Sequence, residues 1–340
     1  MTSLPIPSLP SLAPILEKIT TARAALPRDI IDMHHLESPA LHTIFDLADA
    51  LRQLPPEEAV HLRMGSVVGT LFYQPSTRTR LNFESAAQRL GARVIGFCDP
   101  ATTRAGDFYQ ETLEDVVRFT AELVDLVVLR HHETGATQRA ARVSPVPVIS
   151  AGDGYGQHPT QALGDIWTMC RCLGDVQGRR IGMVGDVNIR SLKAISIGLA
   201  ALGVGELVYL MPRSAQFPEL VARTLNERQV RYRFVSHIDE LLPVVDLVET
   251  IGINHPNHNS ARDTHTRSAA PTYDDGRWYR IDASTAARHD PCGMPFVLHP
   301  GPRTDELSAD FDGHPSARYF EQARNGMWVR MALIAALLGP

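Results

Sequence analysis

The densest group of side chains suited to binding chemistry is the run Pro75–Arg80 (PSTRTR), which follows an apolar stretch and precedes a helix-compatible segment. Hydroxyl residues such as Ser76 and Thr77 can cap a helix, and the N–H groups and dipole at a helix start attract anions. Arg78 and Arg80 add forked donors that suit phosphate. We predict a phosphate-binding loop here. On this run alone, capping by the hydroxyls with solvated arginines stays open as the alternative.

A second group lies in Gln157–Gln161 (QHPTQ), after a glycine-rich turn. His158 and Gln161 are three residues apart, so one turn at a helix end can direct both side chains to a common point. There they could bind a carbonyl oxygen and an amide group. Arg130 ends a short apolar run predicted to reach the same sheet edge. A buried histidine and glutamine that bond only to backbone are the alternative.

A third group is the turn His299–Arg303 (HPGPR), whose two prolines fix the backbone. Such a turn can present carbonyl groups to an amine, although a merely rigid turn explains it equally well. The long polar stretch Gly252–Arg277 includes Asn254, His255 and His258. Long polar loops between strands are usually solvated or functional, so we predict a ligand role for this stretch if it lies at the carboxyl edge of a parallel sheet.

Two series of short apolar runs alternate with helix-compatible stretches, which predicts two tandem open parallel sheets with helices on both faces. The predicted strands are 67–72, 94–97, 126–129 and 146–149, then 181–184, 207–210, 232–235, 247–250 and 296–298. The predicted helices include 41–54, 77–90, 109–123, a linking helix 160–173 and a long C-terminal helix 317–338. We predict an N-terminal arm (1–30), a first domain (31–160 with the returning helix 316–340) and a second domain (161–315).

Composition narrows the function further. The 340 residues carry a net charge of −5, which argues against a basic nucleic-acid scaffold or a polybasic membrane binder. No stretch approaches the roughly 18 apolar residues of a membrane-spanning helix. The four cysteines form no CxxC pair or zinc spacing, so a reducing cytoplasm is the simplest location. Dinucleotide, Walker, HExxH and GxSxG motifs are missing, and we expect neither a metal nor a cofactor.

Taken together, the motifs resemble the aspartate/ornithine carbamoyltransferase family, nearer its aspartate branch. The run 72–81 (FYQPSTRTRL) resembles the family's carbamoyl-phosphate loop. The motifs VLRH (128–131), AGDG (151–154), HPTQ (158–161), HPGPR (299–303) and DEL (305–307) follow in family order, and the stretch from Tyr319 to Arg330 resembles its C-terminal end. The likeness runs from about His34 to Leu338. It implies a two-domain fold, a homotrimer and active sites shared between neighbouring subunits.

The resemblance implies transfer of the carbamoyl group of carbamoyl phosphate to an amine, without metal or covalent intermediate. It assigns the phosphate to Ser76, Thr77, Arg78 and Thr79, polarisation of the carbamoyl carbonyl to Thr79, Arg130 and His158, and its amide nitrogen to Gln161. Arg78, Thr79, Arg130 and His158 would be the catalytic group. Most of such catalysis comes from positioning and from donors aimed at the developing oxyanion.

On the acceptor side, the resemblance assigns the α-carboxylate to Arg190. We also predict that Pro300, Gly301, Asn254 and His255 bind the acceptor. Three departures concern this side. First, the arginine that aspartate enzymes carry after strand 247–250 is missing from 251–258 (IGINHPNH). Second, the family's loop lysine is missing, and Arg104 is the candidate substitute for it. Third, Gln74 replaces a glutamate. Gly301 also replaces the usual leucine.

The departures leave two acceptors open. One is an amine other than aspartate, such as a diaminopropionate-like compound whose polar or cationic side chain would face Asn254, His255 and His258. The other is aspartate itself, with a histidine or Arg262 in place of the lost arginine, because an unpaired carboxylate in a closed site is costly. A catalytically inactive homologue that serves as a scaffold is a third hypothesis, which the intact phosphate motif disfavours.

Overall fold

The computed structural model describes residues 12–105, 111–252 and 278–340. The chain divides into two compact units, one formed by the chain up to Gly164 together with Asn325–Pro340, the other by Asp165–Arg324. The two passages between the units lie within the helices α7 (Pro159–Leu173) and α12 (Tyr319–Leu337). None of the helices in the described ranges is long and apolar enough to cross a membrane.

The first unit is built on a four-stranded parallel sheet with the strand order β2-β1-β3-β4. Its strands are β1 (Val67–Phe72), β2 (Arg93–Phe97), β3 (Leu126–His131) and β4 (Val148–Asp153). Its other helices are α1 (Ala13–Ala25), α2 (Ser38–Gln53), α3 (Pro56–Ala59), α4 (Thr77–Arg89), α5 (Leu113–Ala121) and α6 (Ala136–Val143). The strands β3 and β4 are buried along their whole length, as expected for a parallel sheet covered on both faces.

The second unit is built on a five-stranded parallel sheet with the order β7-β6-β5-β8-β9. Its strands are β5 (Arg180–Val184), β6 (Glu206–Leu210), β7 (Arg231–Val235), β8 (Leu247–Thr250) and β9 (Phe296–Leu298). Its other helices are α8 (Arg190–Ala201), α9 (Glu219–Glu227), α10 (Ile238–Leu241) and α11 (Ala283–His289). Apolar side chains of β6, β8 and β9 form one continuous core with α10 and α11.

The predicted fold class is confirmed: both sheets are parallel and open, with helices connecting the strands. The largest strand difference concerns β4, which begins two residues later than predicted and continues to Asp153. Pro147 has no N–H to donate, whereas the Val148 amide donates to Asp29 Oδ1 at 2.8 Å. Beyond Ile149 the strand continues because Asp153 still pairs with His131 of β3.

The N-terminal arm contains a helix that the sequence analysis did not assign. Along α1, Ile15, Ile19 and Ala22 form a buried stripe that packs against α2. After α1 the chain joins the sheet region, where Ile30 forms a parallel bridge with Ile149. The segment between Ala13 and Ile30 is therefore a packed part of the first unit.

Candidate functional site

The start of α4 has the geometry of an anion site. Ser76 is the N-cap, and its Oγ accepts a hydrogen bond from the Thr79 amide at 3.3 Å. The first-turn amides of a helix have no intrahelical acceptor, so those of Thr77 and Arg78 point outward, where the helix dipole favours negative charge. Arg78 is exposed beside them. Arg80 instead donates from Nε to Glu84 Oε1 at 2.6 Å, so its guanidinium is engaged along the helix.

Thr79 and His158 are brought together, as the sequence predicts for two residues of one site. Thr79 Oγ1 lies 3.4 Å from His158 Nε2, and both side chains are buried. His158 immediately precedes α7, and its carbonyl accepts the Gln161 amide at 3.1 Å. Gln161 Oε1 accepts from Arg330 Nη2 of α12 at 3.5 Å, so Arg330 orients the carboxamide. The sequence motifs do not mark Arg330 as a residue of the site.

Arg130 lies near the carboxyl end of β3. It is the next-to-last residue of β3 and stands in register with Phe72, the last residue of β1. Its Nη1 donates to the Ala151 carbonyl of β4 at 3.0 Å, and its side chain is largely buried. Because parallel strands end at one edge, the end of β1, which leads into α4, and Arg130 lie side by side.

Aromatic rings support this edge. Tyr73 lies 4.7 Å from the His131 ring between centroids, and His131 stacks on His132 at 4.4 Å. Burial, with a smaller contribution from His132, lowers the pKa of His131 to about 4. Burial and the nearby carboxylates Glu111 and Glu114 raise the pKa of Tyr73. Both groups are therefore neutral at neutral pH.

In the second unit, Arg190 is the first residue of α8 and only 5% exposed. The loop before it is held by Asn188, whose Nδ2 donates to Asp186 Oδ1 at 2.8 Å and to the Gln216 carbonyl at 2.7 Å. Lys193 follows one helical turn later, on the same side of α8 as Arg190. Burial lowers the pKa of Lys193, although the Asp186 charge acts in the opposite direction. The start of α8 thus presents two cations, of which the sequence analysis used one.

The turn after β9 is organised around a histidine ring. The Gly301 amide donates to His299 Nδ1 at 2.8 Å, so the ring proton is on Nε2, which donates to Glu306 Oε1 at 2.7 Å. Gly301 has a φ of +70°, a conformation that favours glycine. Pro300 and Gly301 are half-buried. The turn is thereby fixed from inside, with its middle residues accessible.

Five residues named in the sequence-based predictions are not placed in this arrangement by the described structure. Asn254 and His255, together with His258 and Arg262, lie outside the described residues. Arg104 lies in the exposed loop after β2, where its carbonyl accepts the Glu111 amide at 3.4 Å. No site role for Arg104 follows from these contacts.

Comparisons with known proteins identify the family. Residues 28–171 match the family model described as the aspartate/ornithine carbamoyltransferase carbamoyl-P binding domain, and residues 177–337 match the Asp/Orn binding domain of the same family. The aspartate carbamoyltransferase catalytic subunit of Hyperthermus butylicus is 37% identical over 317 residues, covering 92% of this chain and 96% of its own. Aspartate carbamoyltransferase 1 (chloroplastic) of Pisum sativum is 34% identical over 91% of this chain and 78% of its own.

Solved structures give the same result. The catalytic subunit of M. jannaschii aspartate transcarbamoylase is 30% identical, with a TM-score of 0.78 over 92% of this chain and 98% of its own. The Trypanosoma cruzi aspartate transcarbamoylase in complex with N-(phosphonacetyl)-L-aspartic acid is 27% identical, with a TM-score of 0.82 over 92% and 97%. With both family domains matched in order over most of its length, this chain belongs to the aspartate/ornithine carbamoyltransferase family and is an enzyme of the carbamoyltransferase type.

Proposed function

We propose that the protein transfers the carbamoyl group of carbamoyl phosphate to the amino group of an amino-acid acceptor. The observation that carries this proposal is the start of α4, where a capped helix end and the exposed Arg78 adjoin the contact between Thr79 and His158. A phosphate bound by the amides of Thr77 and Arg78 would bring the attached carbamoyl group to that contact. The solved T. cruzi aspartate transcarbamoylase in complex with carbamoyl phosphate supports the choice of donor.

The reaction follows from this placement. Thr79 Oγ1 and His158 Nε2 are 3.4 Å apart, so both can approach one carbonyl oxygen, to which Arg130 adds positive charge. The amine nitrogen forms a bond to the carbamoyl carbon, the bond from that carbon to the phosphate oxygen breaks, and a proton of the amine leaves with phosphate. Donors that are already in place stabilise the oxyanion formed on the way, which is usually the largest catalytic contribution.

The acceptor is recognised in this proposal by Arg190, whose guanidinium suits an α-carboxylate. L-Aspartate is the first acceptor to test, because T. cruzi aspartate transcarbamoylase has been solved in complex with carbamoyl phosphate and aspartate. A non-aspartate amine is the second candidate, favoured by the lack of an arginine in 251–258 and by Gln74. No observation favours an inactive scaffold, since Ser76, Thr79, Arg130 and His158 are all present and arranged.

We further propose a cytoplasmic homotrimer with shared active sites, in which Arg104 acts in the site of a neighbouring subunit. The family resemblance supports this part. Mixing two inactive variants, Arg78→Ala and Arg104→Ala, should then restore part of the activity. In a mixed trimer, some sites would combine Arg78 from an Arg104→Ala subunit with Arg104 from an Arg78→Ala subunit, and these sites would contain neither substitution. Sedimentation of the wild type at three times the monomer mass is expected. A monomer would reject shared sites, and full turnover by Arg104→Ala would reject the role of Arg104 in a neighbouring site.

The reaction is tested by phosphate release from carbamoyl phosphate with a panel of amines, L-aspartate included, and by the product mass for each active amine. Arg78→Ala should abolish carbamoyl-phosphate binding in calorimetry. Arg52→Ala, an exposed arginine of α2 whose Nε lies 3.8 Å from Asp49 Oδ1, is the matched control and should bind normally. Normal binding by Arg78→Ala would remove the phosphate assignment. Silence with every amine, despite bound carbamoyl phosphate, would reject the proposed transfer.

A further inference from the structure

A buried glutamine in the second unit joins two carboxyl groups to the turn after β9. Gln322 of α12 donates from Nε2 to Asp165 Oδ1 of α7 at 2.6 Å and to Glu249 Oε1 of β8 at 3.1 Å. Its Oε1 accepts the backbone amide of His299 at 2.7 Å. Asp165 and Glu249 are fully buried, and Gln322 is 2% exposed. The carboxamide of Gln322 therefore joins α7, β8 and the turn after β9. Its oxygen accepts the amide of His299, the first residue of that turn.

The rest of the turn is tied to the same residue. The His299 ring accepts the Gly301 amide and donates to Glu306, which also accepts the Thr304 amide at 2.8 Å. His299 is therefore fixed by its backbone through Gln322 and by its ring through Glu306. Pro300 and Gly301 lie between His299, which Gln322 holds, and Thr304, which Glu306 holds. Both contacts therefore determine the direction of the Pro300 and Gly301 carbonyls.

We propose that Glu249 and Gln322 are positioning residues for carbamoyl transfer: with Asp165 they orient the Gln322 carboxamide, which sets the His299 amide and, through it, the Pro300 and Gly301 carbonyls. An amide that could rotate would present either its oxygen or its nitrogen to His299. Two carboxyl groups on the opposite side remove that freedom, because only the nitrogen end can donate to them. The catalytic part of this inference rests on the proposed function, whereas the structural part does not.

The charge state of the pair fits this role. Burial and the charge of Asp165 raise the pKa of Glu249 well above its ordinary range, while hydrogen bonding by Gln322 acts in the opposite direction. Two negative charges this deeply buried repel each other strongly, so Glu249 favours its protonated form beside Asp165. Glu249 follows the apolar residues Leu247 and Val248 in a strand that is buried along its whole length, and a carboxyl group is an unusual choice there.

The test uses a swap. Gln322→Glu leaves an oxygen for His299 but brings three carboxyl groups together and removes the donor, so the side chain should turn away. The double variant Glu249→Gln/Gln322→Glu again has two carboxyl groups and one carboxamide. The donating amide is then at position 249 instead of position 322. Tyr209→Phe is the matched control, because it removes another buried hydrogen bond of the same unit, from Tyr209 to Ser196 Oγ at 3.0 Å.

Hydrogen exchange of the peptide 296–307 in the full chain is the first readout. We expect Gln322→Glu to speed its exchange about tenfold or more, Tyr209→Phe to leave it unchanged, and the double variant to return it to within about threefold of wild type. The second readout is kinetic: kcat should follow the same order, while inorganic phosphate, which binds the first unit, keeps its affinity in all variants.

Each outcome decides the question. Unchanged exchange in Gln322→Glu, or a double variant no better protected than the single one, would overturn the positioning role. If Gln322→Glu fails to fold, a folded and protected double variant still supports the pairing, and an unfolded double variant overturns it. Restored exchange with no activity in any protein, wild type included, would leave the positioning intact and reject the proposed function instead. Altered exchange with unaltered kcat would reject the link to catalysis.

Discussion

Removing the charge of Glu306 should destabilise the protein in a pH-dependent way. Burial alone would raise the pKa of this carboxyl, but hydrogen bonds from His299 and Thr304 hold it at about 2, against an ordinary value of 4.5. A carboxylate whose pKa is depressed in the folded state stabilises that state above its unfolded pKa, and this stabilisation is lost as the pH falls through the folded pKa. Glu306→Gln keeps an accepting oxygen for His299 and removes the ionisation.

The size of the effect follows from the two pKa values. A difference of about 2.5 units at about 1.36 kcal/mol per unit gives an upper limit of about 3.4 kcal/mol at pH 7. At pH 3 the same two values leave only about 1.4 kcal/mol. We expect a loss of about 2–3 kcal/mol in the free energy of unfolding at pH 7, because the amide oxygen retains part of the bond.

Urea unfolding at pH 7, 5 and 3, followed by circular dichroism and tryptophan fluorescence, measures this loss. Wild type and Glu306→Gln should differ by similar amounts at pH 7 and 5 and by less than half as much at pH 3. Glu227→Gln is the control, since the side chain of this glutamate is 69% exposed and its Oε1 lies 4.0 Å from Arg223 Nε. Exposed ion pairs of this type contribute little to stability. An equal loss at pH 7 and pH 3 would mean that packing, not charge, explains the effect, and the reasoning would be refuted.

Three further predictions concern the first unit. Ser76→Ala removes the cap of α4 and should lower the unfolding free energy by about 1 kcal/mol in urea titrations while also weakening phosphate binding in calorimetry. Arg330→Met releases Gln161, so kcat should fall about tenfold, measured against an unchanged affinity for inorganic phosphate. Because the pKa of His131 is about 4, His131→Gln should leave the shape of the profile of kcat/KM against pH unchanged from about pH 5 to 9, and a lost inflection there would contradict this.

The sequence predicts most of the fold because its signals are local. Parallel strands covered on both faces give short apolar runs, and those at 67–72, 247–250 and 296–298 match β1, β8 and β9 without adjustment. The helix α1 was missed because its buried stripe consists of only Ile15, Ile19 and Ala22 beside a proline-rich arm. A stripe this narrow becomes informative only when α2 is there to cover it.

In the site too, contacts between residues close in sequence could be predicted, whereas contacts between distant residues could not. Ser76 as a cap could be read from its position before a helix, because its bond to the Thr79 amide spans three residues. Arg80 was predicted to add charge for phosphate, but it pairs with Glu84. The i,i+4 spacing of that pair was visible in the sequence and was not weighed.

Contacts between distant residues had no comparable signal. Gln322 is separated from Asp165 by 157 residues and from Glu249 by 73, and nothing local marks any of the three as partners. What the sequence does show is an acidic residue within an apolar strand. Since a carboxyl group there must be neutralised or hydrogen-bonded, Glu249 could have been predicted to have a buried polar partner, though not which one.

The start of α4 in the first unit and the turn at His299 in the second unit therefore depend on different kinds of structure. The proposed phosphate contacts are the cap, the amides and Arg78 at the start of α4, which lie within four residues of each other. These contacts therefore depend only on the formation of α4. The turn at His299 depends on the side chains of Asp165, Glu249 and Gln322, from α7, β8 and α12. None of these three side chains contacts a substrate in the proposed mechanism. Substitutions at Glu249 or Gln322 can therefore alter transfer without touching phosphate binding. A search for variants with new acceptors should include these buried positions as well as the polar segment 253–277.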